Sequence, residues 1–403
     1  MDAATRGQTI RRARKRRNLS QTALAGLVGR SESWLSQVER GKRKVDSHEV
    51  LTRLAEVLRI DIRDLTGDEA SDYIGARYAA ARDIETAMTR YTTLETIIQD
   101  TGEAQAIDVS RLRTEADRTY AAYQETRYDE VGRRLPRLIR DVEAAARSRG
   151  ADRPAVCSAR AQVYNTAAAV LRRVGERELA WQAADRAMSA AEWADENLLA
   201  AVGAYRLTYV LISRDRRGAA LDLAMGAAHA LERRMNPGTP GELSVYGGLH
   251  LAAATAAAAD FDRASIPRFL ADARRAAERL GHDGNFYGTA FGPSNVAIHT
   301  VSTAVAVGDA QTAVDTGEAL DVRTLPTGLV GRRAQVQLDI ARGYTMRRMD
   351  AAAVNTLLEA ERLSPQLIRY DSATGDVLTE LMSREHRRST PELRPLAHRA
   401  GVT

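Results

Sequence analysis

Residues 19–41, LSQTALAGLVGRSESWLSQVERG, decide how this chain is read. Ser20 stands where its hydroxyl can cap a short helix, and Ala23, Leu24, Leu27 and Val28 recur at the spacing of one inward face. Gly29 stops that helix. Ser31 stands to cap a second one, on which Trp34, Leu35 and Val38 form the apolar stripe while Glu32, Ser33, Ser36 and Gln37 point away from it. Two short amphipathic helices joined by a glycine turn make a helix-turn-helix, whose second helix has the polar face needed in a DNA major groove.

The flanks complete a small unit. Residues 5–17 read as a basic helix with Ile10 and Ala13 inward. Val50, Leu51, Leu54, Ala55 and Leu58 mark a fourth helix, and Ile62 with Leu65 a fifth. Residues 1–66 are therefore expected to form a five-helix DNA-binding domain.

The run Arg14, Leu19, Ser20, Gln21, Leu24, Ala25, Gly29, Ser31, Ser36, Glu39 and Gly41, followed by Leu54, Ala55, Leu58 and Leu65, resembles the Xre/Cro/C1 family of bacterial and phage transcriptional regulators. The resemblance covers about residues 5–66. It implies a phosphate-anchoring role for Gln21, base-reading positions at Glu32, Ser33 and Gln37 with Ser36 as a weaker one, and a structural ion pair between Arg14 and Glu39. Chemistry agrees with the reading face: a glutamine bonds an adenine edge bidentately, serine serves either base, and an ionised Glu32 only accepts, so it favours a cytosine amino group. Against this stand ordinary roles, with Glu32 complementing the helix dipole and Ser33 merely solvated. Trp34 is expected in the core.

Charge is unevenly distributed. Residues 1–66 carry a net +7 and the remainder −2, and all three lysines, Lys15, Lys42 and Lys44, lie in the first part. Arg11, Arg12, Lys15, Arg16, Arg17, Lys42, Arg43 and Lys44 bracket the reading helix in sequence, where they can meet phosphates and release counterions. The other 55 cations are arginines and alanine is abundant, which suggests a GC-rich genome such as that of an actinobacterium.

At 403 residues the chain has room for more than this domain. It has no apolar run of membrane-spanning length, no hydrophobic N-terminal signal, and a single cysteine, Cys157, expected to be a packing residue; a soluble cytoplasmic protein is expected. Residues 67–72 read as a polar joint and 73–98 as a long connector helix, so that 67–108 link the two parts. Residues 109–403 read as an all-α body with helices near 109–127, 129–149, 155–174, 177–194, 196–213, 215–234, 242–259, 264–280, 290–308, 310–321, 329–348 and 350–363. Alanine-rich segments beginning at Leu179, Ala219, Leu270 and Ala352 recur every 40 to 50 residues, which resembles a tetratricopeptide-like solenoid of helical hairpins. An irregular helical bundle is the alternative.

A solenoid has a concave face that suits an effector. Residues 282–299, HDGNFYGTAFGPSNVAIH, gather aromatics, Asn285, Phe291, Asn295 and His299 in an aromatic-poor chain, with Tyr164, Asn165, Tyr205, Arg206, Tyr209 and Arg333 as partners from other helices. For each, plain helix packing is the competing role. Catalysis has little support: the seven histidines show no HExxH spacing, Walker-type and GxSxG motifs are absent, Gly247 and Gly248 read as a helix start, and no cofactor or metal is expected. The expectation is a dimeric regulator that binds double-stranded operator DNA and senses a small molecule or peptide. The alternatives are a DNA-bound scaffold recruiting a protein, or a constitutive dimeric repressor.

Overall fold

The computed structural model describes residues 3–45, 48–58, 60, 65, 78–89, 108–148, 152–194, 196–235, 237–386 and 388–402. Among the described residues every regular element is helical. The N-terminal part holds α1 (Ala3–Arg16), α2 (Gln21–Leu27), α3 (Glu32–Glu39) and α4 (His48–Leu58). Ser20 and Ser31 accept from the amides of Ala23 (3.0 Å) and Trp34 (3.2 Å), the two caps expected from sequence. Ile10, Leu24, Leu35, Val38, Leu54, Leu58 and Leu65 form the core. Gly7 lets α1 lie directly on the carbonyls that end α3, where any Cβ would collide with Val38. Two inward expectations need correction. Ala23 is exposed and Leu27 is 51% exposed, because Ala25 occupies the inner face beside Leu24. Of the expected fifth helix only Leu65 is described, and it is buried; residues 67–72 lie outside the described residues.

The connector helix is also corrected. The helix in that region, α5 (Ala80–Met88), ends at Thr89, whose backbone is extended (φ −77°, ψ 118°), and the rest of 73–98 apart from Tyr78 and Ala79 lies outside the described residues. Ala81, Ile84 and Met88 fall on one face and are buried with Tyr78 in the core of the body, so α5 is docked rather than a free arm.

Among the described residues the body holds six consecutive hairpins: α6 (Val109–Gln124) with α7 (Tyr128–Arg147), α8 (Arg153–Arg173) with α9 (Arg177–Ala191), α10 (Asn197–Ser213) with α11 (Arg217–Glu232), α12 (Pro240–Ala259) with α13 (Ile266–Leu280), α14 (Pro293–Val307) with α15 (Ala310–Ala319), and α16 (Val330–Met346) with α17 (Asp350–Leu363). The sequence reading places all twelve near these positions. Three further helices, α18 (Pro365–Tyr370), α19 (Ser372–Ser383) and α20 (Leu393–Arg399), were not expected. Gly247 and Gly248 lie inside α12, correcting their reading as a helix start; a Cβ at Gly247 would enter the ring of Phe291.

Each hairpin turn contains one left-handed residue: Thr126, Gly175, Asp215, Phe261, Gly308 and Arg348. In every case the next amide donates to a carbonyl five residues back, as Arg127 does to Ala122 and Met349 to Tyr344 (2.9 Å each). This is the Schellman closure of a helix C-terminus, in six copies 40 to 49 residues apart. Four of the six positions are not glycine, so glycine punctuation alone under-reports the repeat.

The solenoid closes on itself. One apolar core runs through α5 to α10 and continues into α16 to α20. Tyr370 stacks edge-on against Tyr78 (5.5 Å) and donates to Asp129 (2.9 Å), while Ser364 donates to Thr126 (2.7 Å). The first hairpin is thereby held against the chain's last helices. The first helices of the α6, α8, α10 and α16 hairpins then face a common interior.

Candidate nucleic-acid interface and effector cavity

In the helix-turn-helix, Arg14 crosses from α1 to grip Glu39 at the end of α3 with two bonds of 2.6 and 2.8 Å, and both side chains are buried. Gln21 donates to the same carboxylate at 2.7 Å, and Arg14 also reaches the Leu19 carbonyl at 2.8 Å. This network sets the angle between α2 and α3. Trp34 packs partly buried against the core, under the Arg30 guanidinium (5.7 Å from the ring centroid).

On the outer side of α3, Glu32 and Ser33 are exposed while Ser36 and Gln37 are partly buried. Glu32 accepts from the Thr22 hydroxyl at 2.6 Å, which ties the first turn of α3 to α2 and leaves one carboxylate oxygen for another donor. Gln21, read as a phosphate anchor, has one amide N–H bonded to Glu39 and the other left for an acceptor. Lys42, Arg43 and Lys44 follow α3 and are exposed, as is Arg11 on α1. Part of the α1 basic run lies beside the body, while Arg16 and Arg17 have exposed side chains and Arg17 donates to the Val57 carbonyl. Arg12 pairs with Asp215 (3.0 Å), Lys15 lies in the field of Asp262, and the Arg16 carbonyl approaches Gly308.

Inside the closed body lies an open-mouthed cavity of about 90 Å³. Its walls are Tyr120, Tyr123 and Gln124 of α6, Tyr128 of α7, Arg172 and Arg173 of α8, Tyr205, Arg206 and Tyr209 of α10, Gly288, Leu329, and Gly331, Arg332 and Gln335 of α16. Five of the chain's 13 tyrosines meet here. Arg206 stacks on Tyr205 (5.0 Å) and Tyr120 (5.2 Å) and donates to the Gly288 carbonyl at 2.8 Å, which also accepts from Tyr120 at 2.6 Å. Arg172 lies over Tyr209 (5.6 Å), Arg332 donates to the Tyr205 hydroxyl (3.2 Å), and Arg173 is neutralised by Asp371 (2.6 Å).

Of the groove residues expected from sequence, Tyr205, Arg206 and Tyr209 line this cavity. His299 touches its wall through Tyr209, at 3.0 Å, and Asn285 sits at its edge, exchanging two amide bonds with Gln124 (2.8 and 3.0 Å). The others pack elsewhere. Tyr164 is fully buried and donates to Glu143 (2.8 Å), between the guanidiniums of Arg160 and Arg186; Phe291 is buried against Gly247; Asn165 and Asn295 are buried with side-chain oxygens that lack partners. Arg333 donates to the Thr327 carbonyl, and its neighbour Arg332 is the one that lines the cavity. Sequence reasoning missed Tyr120, Tyr123, Tyr128, Arg172, Arg173 and Arg332. The signal for them is tyrosine spacing, with pairs at i, i+3 in α6 and i, i+4 in α10 within a chain that is 5% aromatic.

Residues 7–66 match a protein family described as Helix-turn-helix domain. The class is thus set for the N-terminal part: a helix-turn-helix domain, followed by a body of helical hairpins. No curated protein matches the chain. Among solved structures, the crystal structure of Bacillus thuringiensis PlcR in complex with the peptide PapR7 and DNA is similar with a TM-score of 0.38 and 13% identity, covering 90% of this chain and 99% of that one. Among the described residues no helix is long and apolar enough to cross a membrane.

Proposed function

We propose that the protein is a sequence-specific, Xre-type transcriptional regulator whose helical body senses a small molecule or peptide. The observation that carries this reading is the matched helix-turn-helix domain, in which α3 buries Leu35, Val38 and Glu39 and leaves Glu32 and Ser33 outward. Base edges are read by Glu32, Ser33, Ser36 and Gln37, and phosphates are met by Gln21, Arg11, Lys42, Arg43 and Lys44, with Lys15 and Arg16 contributing where the body leaves them accessible. Operator binding by a homodimer sets two α3 helices about 34 Å apart, one turn of B-DNA. The effector enters the tyrosine- and arginine-lined cavity, and the α1 contacts with the edge of the body are the route by which its binding reaches the reader.

The test is binding to genomic DNA fragments at two salt concentrations, for the intact protein and a Ser33→Ala, Gln37→Ala variant. The expected result is selective binding that the variant loses while salt-sensitive nonspecific binding remains. Equal selectivity in both proteins would overturn the assignment of the reading face, and no selectivity in the intact protein would overturn the regulator reading.

A further inference from the structure

The charge lining the cavity is unbalanced. Four guanidiniums meet there, and the carboxylate paired to one of them, Arg173, is Asp371. Among the described residues no carboxylate lies within ion-pair distance of Arg172, Arg206 or Arg332. Arg206 finds a peptide carbonyl and a phenol; Arg332 finds a phenol; Arg172 finds an aromatic face. All of these partners are neutral. Asp339, the next carboxylate on α16, is bonded to Arg342 at 3.2 Å.

Tyr120 and Tyr209 do not supply the missing charge. Burial raises the hydroxyls of Tyr120 and Tyr209 above the usual phenol value, so both are neutral near pH 7. Tyr123 is different: burial alone would raise it too, yet the summed field of Arg173, Arg172, Arg206 and Arg332 holds it below its ordinary value. A half-buried phenol pushed toward ionisation reports a positive interior. The C-terminal dipole of α8, near Arg172 and Arg173, offsets only a fraction of one charge.

Partly buried cations without a counter-charge are costly to hold together, and a ligand that supplies the charge relieves that cost. Arg206 has an Nε buried without a partner, as does Arg173, so the cage holds donors that its own residues leave unused. The guanidinium fork matches phosphate and carboxylate oxygens in pairs. From this geometry we infer that the cavity binds a small molecule carrying two or more adjacent negative charges, as phosphate or carboxylate groups, held by Arg172, Arg206 and Arg332 among the tyrosine rings. This deepens the sensing reading above by naming the chemistry of the effector. A cavity of about 90 Å³ suits a small polyanion rather than a drug-sized molecule.

The experiment is calorimetric titration of the full chain at fixed ionic strength with pyrophosphate and, separately, with citrate, the two arms distinguishing phosphate from carboxylate chemistry. Saturable one-to-one binding of at least one of them is expected, weakened tenfold or more in Arg172→Gln and in Arg332→Gln. Arg332→Lys, which keeps the charge and loses the fork, should fall between. Because the cations repel one another, both glutamine variants are expected to melt higher than the parent without anion, and the anion that binds should raise the melting temperature of the parent and not of the variants. Failure of both anions to bind the parent, or equal binding by parent and variants, would overturn the inference. DNA selectivity is read separately. Selective DNA binding with no anion binding removes this inference and leaves the regulator reading, whereas anion binding without DNA selectivity does the reverse.

Discussion

The hydroxyl of Tyr209 lies 3.0 Å from Nε2 of His299, whose Nδ1 is 2.9 Å from the Asn295 carbonyl, so the imidazole donates along its own helix and accepts from the cavity wall. Only the neutral ring can do both. Burial, reinforced by the Arg332 charge, pushes His299 down to about 3. The unfolded chain therefore takes up a proton near pH 6.5 that the folded chain refuses, and stability falls as pH drops below 6.5. Between pH 7 and 5.5 the parent should lose about 1 kcal/mol more than a His299→Gln variant. Urea unfolding at the two pH values checks this, and parallel losses would remove His299 from the account.

Arg14 and Glu39 form a buried pair, and removing one member strands the other. Arg14→Ala is expected to destabilise the N-terminal domain by about 3 to 5 kcal/mol and to abolish DNA binding with it. Replacing both with apolar residues, as in Arg14→Met with Glu39→Leu, should recover much of that loss. Thermal melts of the three proteins decide it, and a mild Arg14→Ala phenotype would show that the pair is dispensable.

Gly247 is required by packing. Its methyl-free Cα is where the Phe291 ring rests, so Gly247→Ala should cost about 1 to 3 kcal/mol through overpacking, although alanine is the better helix former. Phe291→Leu in the same chain should restore part of the loss. A melting temperature unchanged by Gly247→Ala would contradict the close approach.

Arg348 adopts φ +60° with an exposed side chain at the turn between α16 and α17. A non-glycine residue is strained there by about 1 to 2 kcal/mol, part of which glycine returns as unfolded-state entropy. Arg348→Gly should stabilise the body by about 0.5 to 1 kcal/mol, and a lower denaturation midpoint would refute that balance.

The helices of the body were legible because apolar residues recur at helical spacing and short polar turns separate them. The reader was legible in finer detail, down to the Arg14 bridge to Glu39, because its residues resemble a family in which a buried arginine–glutamate pair falls on those positions. The inward list erred at Leu27 because periodicity over a seven-residue helix does not distinguish two neighbouring faces. The connector at 73–98 erred because helical spacing does not reveal whether an apolar face is free or docked, and in α5 Ile84 and Met88 are docked.

The cavity is the opposite case. Tyr120, Arg172, Arg206 and Arg332 lie up to 212 positions apart, and they meet because the last helices return to pack on α5, α7 and α8. The choice between Arg332 and Arg333 turned on about 100° of helix rotation, which local pattern does not fix when both neighbours are arginine. Local hydrophobic spacing and capping chemistry thus specify each helix and the DNA-reading class of the N-terminal domain, because those interactions are satisfied within a few turns. Closure of the solenoid, and with it the charge-unbalanced cage, arises only when the body buries its first and last helices in one core, since non-local burial depends on the summed twist of every hairpin between them.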